Sequence, residues 1–158
     1  MKNIDGARLV IAGDGDIQIQ LAQLVKKHGL ENKVEFTGRL TIEELSQLTP
    51  QANLGLSIEE NLGLNYRFAL PNKLFDYIQA QVPVLVTNLP EMAAVVKRYK
   101  IGEITPSLDP DALAEKIKHA LFNEHTRKIW KQNLKKAAND LVWEKEEKVL
   151  RDIFARFL

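Results

Sequence analysis

Residues 69–87, ALPNKLFDYIQAQVPVLVT, place a proline, an amide, a lysine and an acid on a short apolar helix that runs into a β-branched stretch. Pro71 suits a helix start, where a missing N–H and a fixed φ are tolerated. Leu74, Tyr77 and Ile78 share one face at helical spacing. The β-branched stretch VPVLVT (82–87) reads as a strand. A short helix feeding a fully apolar strand is the unit of a layered α/β fold, and the rest of the chain repeats it.

Upstream, ARLVIAG (7–13) is a strand ending at glycine. A helix follows over 16–29 with Ile17, Leu21, Leu24 and Val25 inward, Asp16 capping it and Gly29 ending it. KVEFTG (33–38) alternates like a strand, and Thr41 to Glu44 is a capping box opening a helix that closes before Pro50. ANLGLSI (52–58) is the next strand. Downstream come a helix over 90–99, a short edge strand at IGEITP, and a helix capped by Asp109 with Leu113, Ile117, Ala120 and Leu121 inward. From Glu124 onward the chain is helical and amphipathic. Its last stripe, Val149, Leu150, Ile153, Phe154 and Phe157, is expected to pack on this domain or a neighbouring one, in preference to a membrane. Alternating strands and helices with short connections imply a parallel sheet with helices on both faces.

A chain of 158 residues accommodates one domain with a real core. With 45% hydrophobic and 27% charged residues it is ordinary globular material, and a net charge of +1 gives no general attraction to nucleic acid. The absence of cysteine removes disulfides, thiolate metal sites and cysteine nucleophiles, and fits a reducing compartment. No apolar run approaches the ~18 residues of a transmembrane helix. The opening MKNIDGARLVIAGDG has too short an apolar stretch for a signal peptide, so a cytoplasmic domain is expected.

Parallel sheets take ligands at the carboxyl ends of their strands. Chemistry is therefore sought at 13–16, 37–39, 57–64 and 87–91, and in the first turn after Pro71. The turn GDGD (13–16) lets backbone approach a phosphate at a helix amino terminus, although glycine also serves a tight turn with no ligand. Asp14 and Asp16 suggest a divalent metal less than they suggest capping, a pattern that Asp109 and Asp111 repeat. His28, His119 and His125 have no neighbours at ligand or triad spacing. Lys73 lies among the first N–H groups of its helix, those of Asn72, Lys73 and Leu74, where a cation opposes the helix dipole. An anion seated there resolves that conflict, and Asp76 could then accept from a sugar hydroxyl. The alternative is a solvated Lys73 paired with Asp76 on the surface.

The stretch LPNKLFDYIQAQVPVLVTNLPEM resembles the nucleotide-sugar site of family 4 glycosyltransferases, retaining enzymes with two Rossmann-like domains, the GT-B architecture. LVIAGDGD resembles that family's strand with a Gly-x-Gly turn, VEFTGRL its Val-x-Phe-x-Gly strand, and SIEENLGL its Glu-Gly-Phe-Gly-Leu loop. The four segments come in the family's order between Arg8 and Tyr99, and Trp143 with the closing helix resembles its C-terminal tail.

The resemblance implies that Gly13 and Gly15 approach the donor's diphosphate. Phe36, Gly38 and Arg39 would border the nucleobase. Asn72, Lys73 and Leu74 would bind the diphosphate, and Asp76 the ribose hydroxyls. Glu60, with Glu59 as its rival, would face the donor sugar. Lys73 and Glu60 would carry the catalysis.

Departures from the pattern are equally specific. Glu60 and Asp76 lie further apart than the family's two glutamates, with NYRFA inserted between them and Phe68 where the first glutamate would count. The turn AQVP also lacks the usual glycine.

The fold implied is the C-terminal half of a GT-B enzyme. Residues 1–158 would form one nucleotide-sugar domain truncated at its N-terminus, with 124–158 as a helical tail. The activity implied is hexosyl transfer from a nucleoside-diphosphate sugar, with retention, to an acceptor saccharide or lipid-linked saccharide, in polysaccharide biosynthesis. An absent N-terminal domain would hold the acceptor, leaving this chain inactive alone. No resident cofactor or metal, no nucleic acid and no transmembrane segment are expected. The full-length protein would be peripheral at the inner membrane face. A GT-B-like epimerase, a dinucleotide-dependent dehydrogenase domain and a non-catalytic nucleotide-binding module are the competing readings.

Overall fold

The structure, a computed structural model, describes residues 1–155 and Phe157. Strand β1 (Leu9–Ala12) pairs in parallel with β2 (Val34–Gly38) across helix α1 (Gln18–Lys27), with Leu9 opposite Val34 and Ile11 opposite Phe36. Helix α2 (Ile42–Leu48) and a 3₁₀ turn at Thr49–Gln51 lead to β3 (Gly55–Ser57). After a four-residue helix α3 (Leu64–Arg67) comes α4 (Asn72–Gln79), then β4 (Val84–Thr87), α5 (Pro90–Tyr99) and β5 (Gly102–Thr105). These strands form a second parallel sheet in the order β3-β4-β5. Helices α6 (Pro110–Phe122), α7 (Glu124–Asp140) and α8 (Trp143–Phe154) complete the chain.

The α/β class with parallel strands flanked by helices is as the alternation predicts. The single sheet is not: the strands divide into a pair and a triplet, and β1 and β3 each pair on one side only among the described residues. Periodicity shows that a stretch is a strand, while pairing depends on which edges meet in space.

The core belongs to the triplet. Leu74 and Ile78 of α4, Val84 and Val86 of β4, Met92 and Val96 of α5, and Ile101 close on Leu134 and Ala137 of α7. Val84, Leu85 and Val86 are all buried, because β4 is central and covered on both faces. Gly55 is dictated by packing, since a Cβ there would meet the Tyr77 ring 2.4 Å away. Before Gly55 only Ile4 is buried. Its segment is tied down by Lys33 Nζ, which donates to the Ile4 carbonyl (2.9 Å) and the Asp5 carboxylate (2.7 Å), and by Asn3 on Asp111 (2.8 Å).

Local signals held unevenly. The Thr41/Glu44 capping box forms with both hydrogen bonds, and Asp109 caps α6 through two backbone N–H groups. Asp16 does not cap α1. The turn closes from Gln18 N–H to the Gly15 carbonyl, so Ile17 takes the cap position and Asp16 falls outside. The 124–158 tail divides at Leu141–Val142. Helix α7 is built into the core through Trp130, Leu134 and Ala137, while α8 has no buried residue. Of the expectation that this stripe packs on this domain or a neighbouring one, the first half is corrected: Val149, Leu150, Ile153, Phe154 and Phe157 are exposed, and α8, which follows extended Val142, buries no residue against the core.

Candidate functional site: two glycine- and lysine-bearing strand edges

Gly13, Gly15, Phe36, Gly38 and Arg39, scattered over 27 positions of sequence, meet at the carboxyl edge of the β1/β2 pair. The Gly13 N–H donates to the Gly38 carbonyl at 2.9 Å, and the Thr37 hydroxyl donates to the same oxygen at 3.0 Å. Gly13 (φ +123°) and Gly38 (φ +69°) adopt backbone that side-chain-bearing residues avoid, so the turn geometry alone requires them. Gly15 differs. Its φ is not in the left-handed region, and a Cβ built on it meets no heavy atom within 4 Å. Neither conformation nor internal packing explains that glycine. Phe36 is half-buried in register with Ile11, while Arg39 is exposed at the strand's end.

The second edge is built from side chains. Helix α4 begins after Pro71, which takes the cap position with extended backbone (φ −74°, ψ 144°) and offers no side-chain cap. The Leu74 N–H closes on the Pro71 carbonyl (3.1 Å) and its side chain is core. Of the three N–H groups anticipated as free, those of Asn72 and Lys73 remain without an acceptor among the described residues. The ammonium of Lys73 does not pair with Asp76. It lies 3.1 Å from Glu59, two residues beyond the end of β3. Glu59 is held in turn: its N–H donates to the Thr87 hydroxyl at the end of β4 (2.8 Å), and the buried Ser57 hydroxyl makes a long 3.5 Å contact with its carboxylate. The Glu59 side chain is 19% exposed and that of Lys73 46%.

Asp76, one turn along α4, has an exposed side chain whose carboxyl is pushed above the usual aspartate range by partial desolvation. Glu60 is exposed at the start of a loop whose Leu62, Leu64, Tyr66 and Phe68 also face outward. The predicted residues thus form two clusters, Gly13–Arg39 on one edge and Asn72–Asp76 on the other, with Glu60 in the loop after β3.

Ser57 and Thr87 open two of the segments where chemistry was sought, 57–64 and 87–91, but sequence reasoning gave neither a role. Thr87 stands at the last position of a predicted strand, and that placement is the signal for its hydroxyl. Sequence spacing also missed a partner for His119, whose Nδ1 lies 2.7 Å from Glu103, beside Lys116 (3.0 Å); these pairs fasten α6 to β5 away from either edge. Among the described residues no group of three or more His, Asp or Glu side chains gathers as metal ligands. Asp14 and Asp16 are exposed in their turn. Among the described residues no helix is long and apolar enough to cross a membrane.

A cation and free helix N–H groups at one edge, and a glycine turn open to solvent at the other, suit an anion such as a phosphate. The comparisons agree in fold. A glycosyltransferase named WaaG, involved in lipopolysaccharide biosynthesis, superposes with a TM-score of 0.71 at 21% identity, over 92% of this chain and 38% of its own. Sucrose-phosphate synthase from Thermosynechococcus elongatus gives 0.74 at 20% identity over 99% and 41%. Anabaena Alr3699/HepE, solved with UDP and glucose, gives 0.76 at 17% over 94% and 40%. The chain spans about two fifths of the length of these structures. No curated protein matches it by sequence. The profile described as "Glycosyl transferases group 1" matches residues 1–137, and on that match the chain belongs to the group 1 glycosyl transferases.

Proposed function

We propose that this chain is the donor-binding half of a glycosyltransferase that takes a nucleoside-diphosphate sugar and transfers the hexose, with retained configuration, to an acceptor hydroxyl. The observation that carries the proposal is Lys73, a cation at the end of α4 that disfavours cations, beside unpartnered N–H groups at the ligand edge of a parallel sheet. Departure of the diphosphate concentrates negative charge, and preorganised donors aimed at it are worth more in the transition state than in the ground state. Lys73 with the Asn72 and Lys73 N–H groups supplies them. The proposal assigns this work to the chain without a metal or resident cofactor. Gly15 supports the reading, being open where a phosphate would approach. Asp76 would accept from the ribose hydroxyls, Phe36, Gly38 and Arg39 would border the base, and Glu60 would face the sugar.

Holding donor and acceptor together and excluding water calls for a second body over the cleft. That the solved relatives are more than twice as long supports placing an acceptor-binding domain elsewhere in the parent protein. The reading places that parent in the cytoplasm, peripheral at the inner membrane face, acting on a saccharide or lipid-linked saccharide. The chain alone binds donor weakly and transfers nothing.

The test is titration of UDP-, GDP- and ADP-sugars and NAD into the 158-residue chain and its Lys73→Ala variant. Removing one charged donor should weaken diphosphate binding ten- to a hundredfold, about 1.5–3 kcal/mol, with melting temperature little changed, because Lys73 is about half exposed and its single ion pair adds little stability. Preference for NAD would point to a dehydrogenase domain. Equal affinity of parent and variant would return Lys73 to surface charge, and turnover by the chain alone would refute the two-body mechanism.

A further inference from the structure

Lys73 is a flexible side chain at the edge of a short helix, and an unconstrained lysine loses much of its electrostatic advantage to the entropy of being held. The structure supplies the constraint from two other elements. Thr87 at the end of β4 accepts from the Glu59 N–H at 2.8 Å, and Ser57, buried at the end of β3, contacts the Glu59 carboxylate. That carboxylate receives the ammonium at 3.1 Å. Glu59, at 19% exposure, is the better fixed partner, and Lys73, at 46%, keeps part of its donor set toward solvent.

We propose that Thr87 and Glu59 are positioning residues: Thr87 fixes the loop after β3, and Glu59 fixes the Lys73 ammonium at the α4 terminus for the donor's diphosphate. Neither needs to touch the donor. The inference rests on the proposed role of Lys73; it gives Thr87 a role the four motifs did not assign, and Glu59 a role other than facing the donor sugar as the rival of Glu60.

Two effects of opposite sign separate this role from simple neutralisation. Removing a carboxylate raises the local positive potential, so a counter-ion that merely neutralised Lys73 would, once removed, let a diphosphate bind more tightly. A positioning carboxylate loosens binding when removed. Thr87→Val is close to isosteric and discards the acceptor for the Glu59 N–H, whereas Thr87→Ser keeps it.

The experiment titrates inorganic pyrophosphate and UDP into the chain and into Glu59→Ala, Thr87→Val and Thr87→Ser, alone and combined with Lys73→Ala. The expected result is three- to tenfold weaker binding of both ligands by Glu59→Ala and Thr87→Val, with near-parental binding by Thr87→Ser. Neither substitution should add to the loss caused by Lys73→Ala, and far-ultraviolet circular dichroism should show each variant folded. Tighter binding by Glu59→Ala, or a Thr87→Val effect that persists in full without Lys73, would overturn the positioning role. A Lys73→Ala variant that binds like the parent would instead remove the donor-site reading itself, so the two failures are distinguishable.

Discussion

The β1/β2 half and the β3/β4/β5 half perform the same architectural task with very different interiors. In the triplet, α4, β4, α5 and α7 bury Leu74, Ile78, Val84, Met92, Val96 and Leu134 completely or nearly so. In the pair, neither α1 nor α2 buries a single residue, and Val10, Ile17, Ile19, Leu24, Ile42 and Leu45 are exposed. Fully burying an aliphatic side chain contributes roughly 1.5–3 kcal/mol, so the triplet carries most of the domain's stability. The two candidate edges differ in parallel. The pair offers backbone and space around Gly13, Gly15 and Gly38; the triplet offers fixed side chains, Lys73, Glu59 and Thr87. On the proposed reading, the edge that uses charge at a set position stands on the better packed half, and the edge that uses close backbone approach stands on the half with less packing behind it.

The largest expected effect tests the comparison directly. Leu134→Ala should cost about 2–5 kcal/mol in urea unfolding, the range for emptying a filled core site, whereas Leu21→Ala on α1 should cost under about 1 kcal/mol. Similar losses would erase the distinction. The same contrast should show in hydrogen exchange, with amides of β1 and β2 exchanging ahead of those of β4.

Gly15→Ala sharpens the comparison of the edges. Folding should tolerate it, since nothing within the chain meets the new methyl, while UDP affinity should fall roughly tenfold, about 1.4 kcal/mol. A variant that binds UDP like the parent would make Gly15 an ordinary turn residue.

For Asp76, burial raises the folded carboxyl's pKa. Keeping it ionised therefore disfavours folding slightly, so its stability contribution is most favourable at low pH and is lost as pH rises through the unfolded value toward the folded one. A ribose hydroxyl, however, is best accepted by the ionised form. The preference for UDP over pyrophosphate, measured as a ratio of affinities, should therefore decline on acidification, beginning above the normal aspartate range. Asp76→Asn should flatten that profile; an unchanged profile would remove Asp76 from ribose recognition.

The smallest effect concerns Gln81, which occupies the left-handed region at φ +56° in the AQVP turn that lacks the family's glycine. Gln81→Gly should stabilise by about 0.5–1 kcal/mol, the left-handed penalty of an L residue less glycine's greater unfolded freedom. Thermal melting would show it as a small rise.

Local periodicity and capping determined most elements of this protein in the sequence itself. Helix α5 occupies the anticipated residues 90–99, Thr41 and Asp109 cap as their types suggest, and the apolar run at 82–87 announced strand β4. The glycine turn and the start of the PNKLFDY helix were likewise legible as local structure, because backbone conformation and helix dipole are properties of a few neighbouring residues. Tertiary structure alone decided the rest. The division into two sheets depends on which strand edges meet, and the bare face of α8 depends on which elements come to lie beside it. The partner of Lys73 depends on where the end of β3 lies against α4: the sequence offered Asp76 three residues away, and the fold brought Glu59 across from another element instead. Contacts between elements are a matter of packing geometry, and no local pattern encodes them.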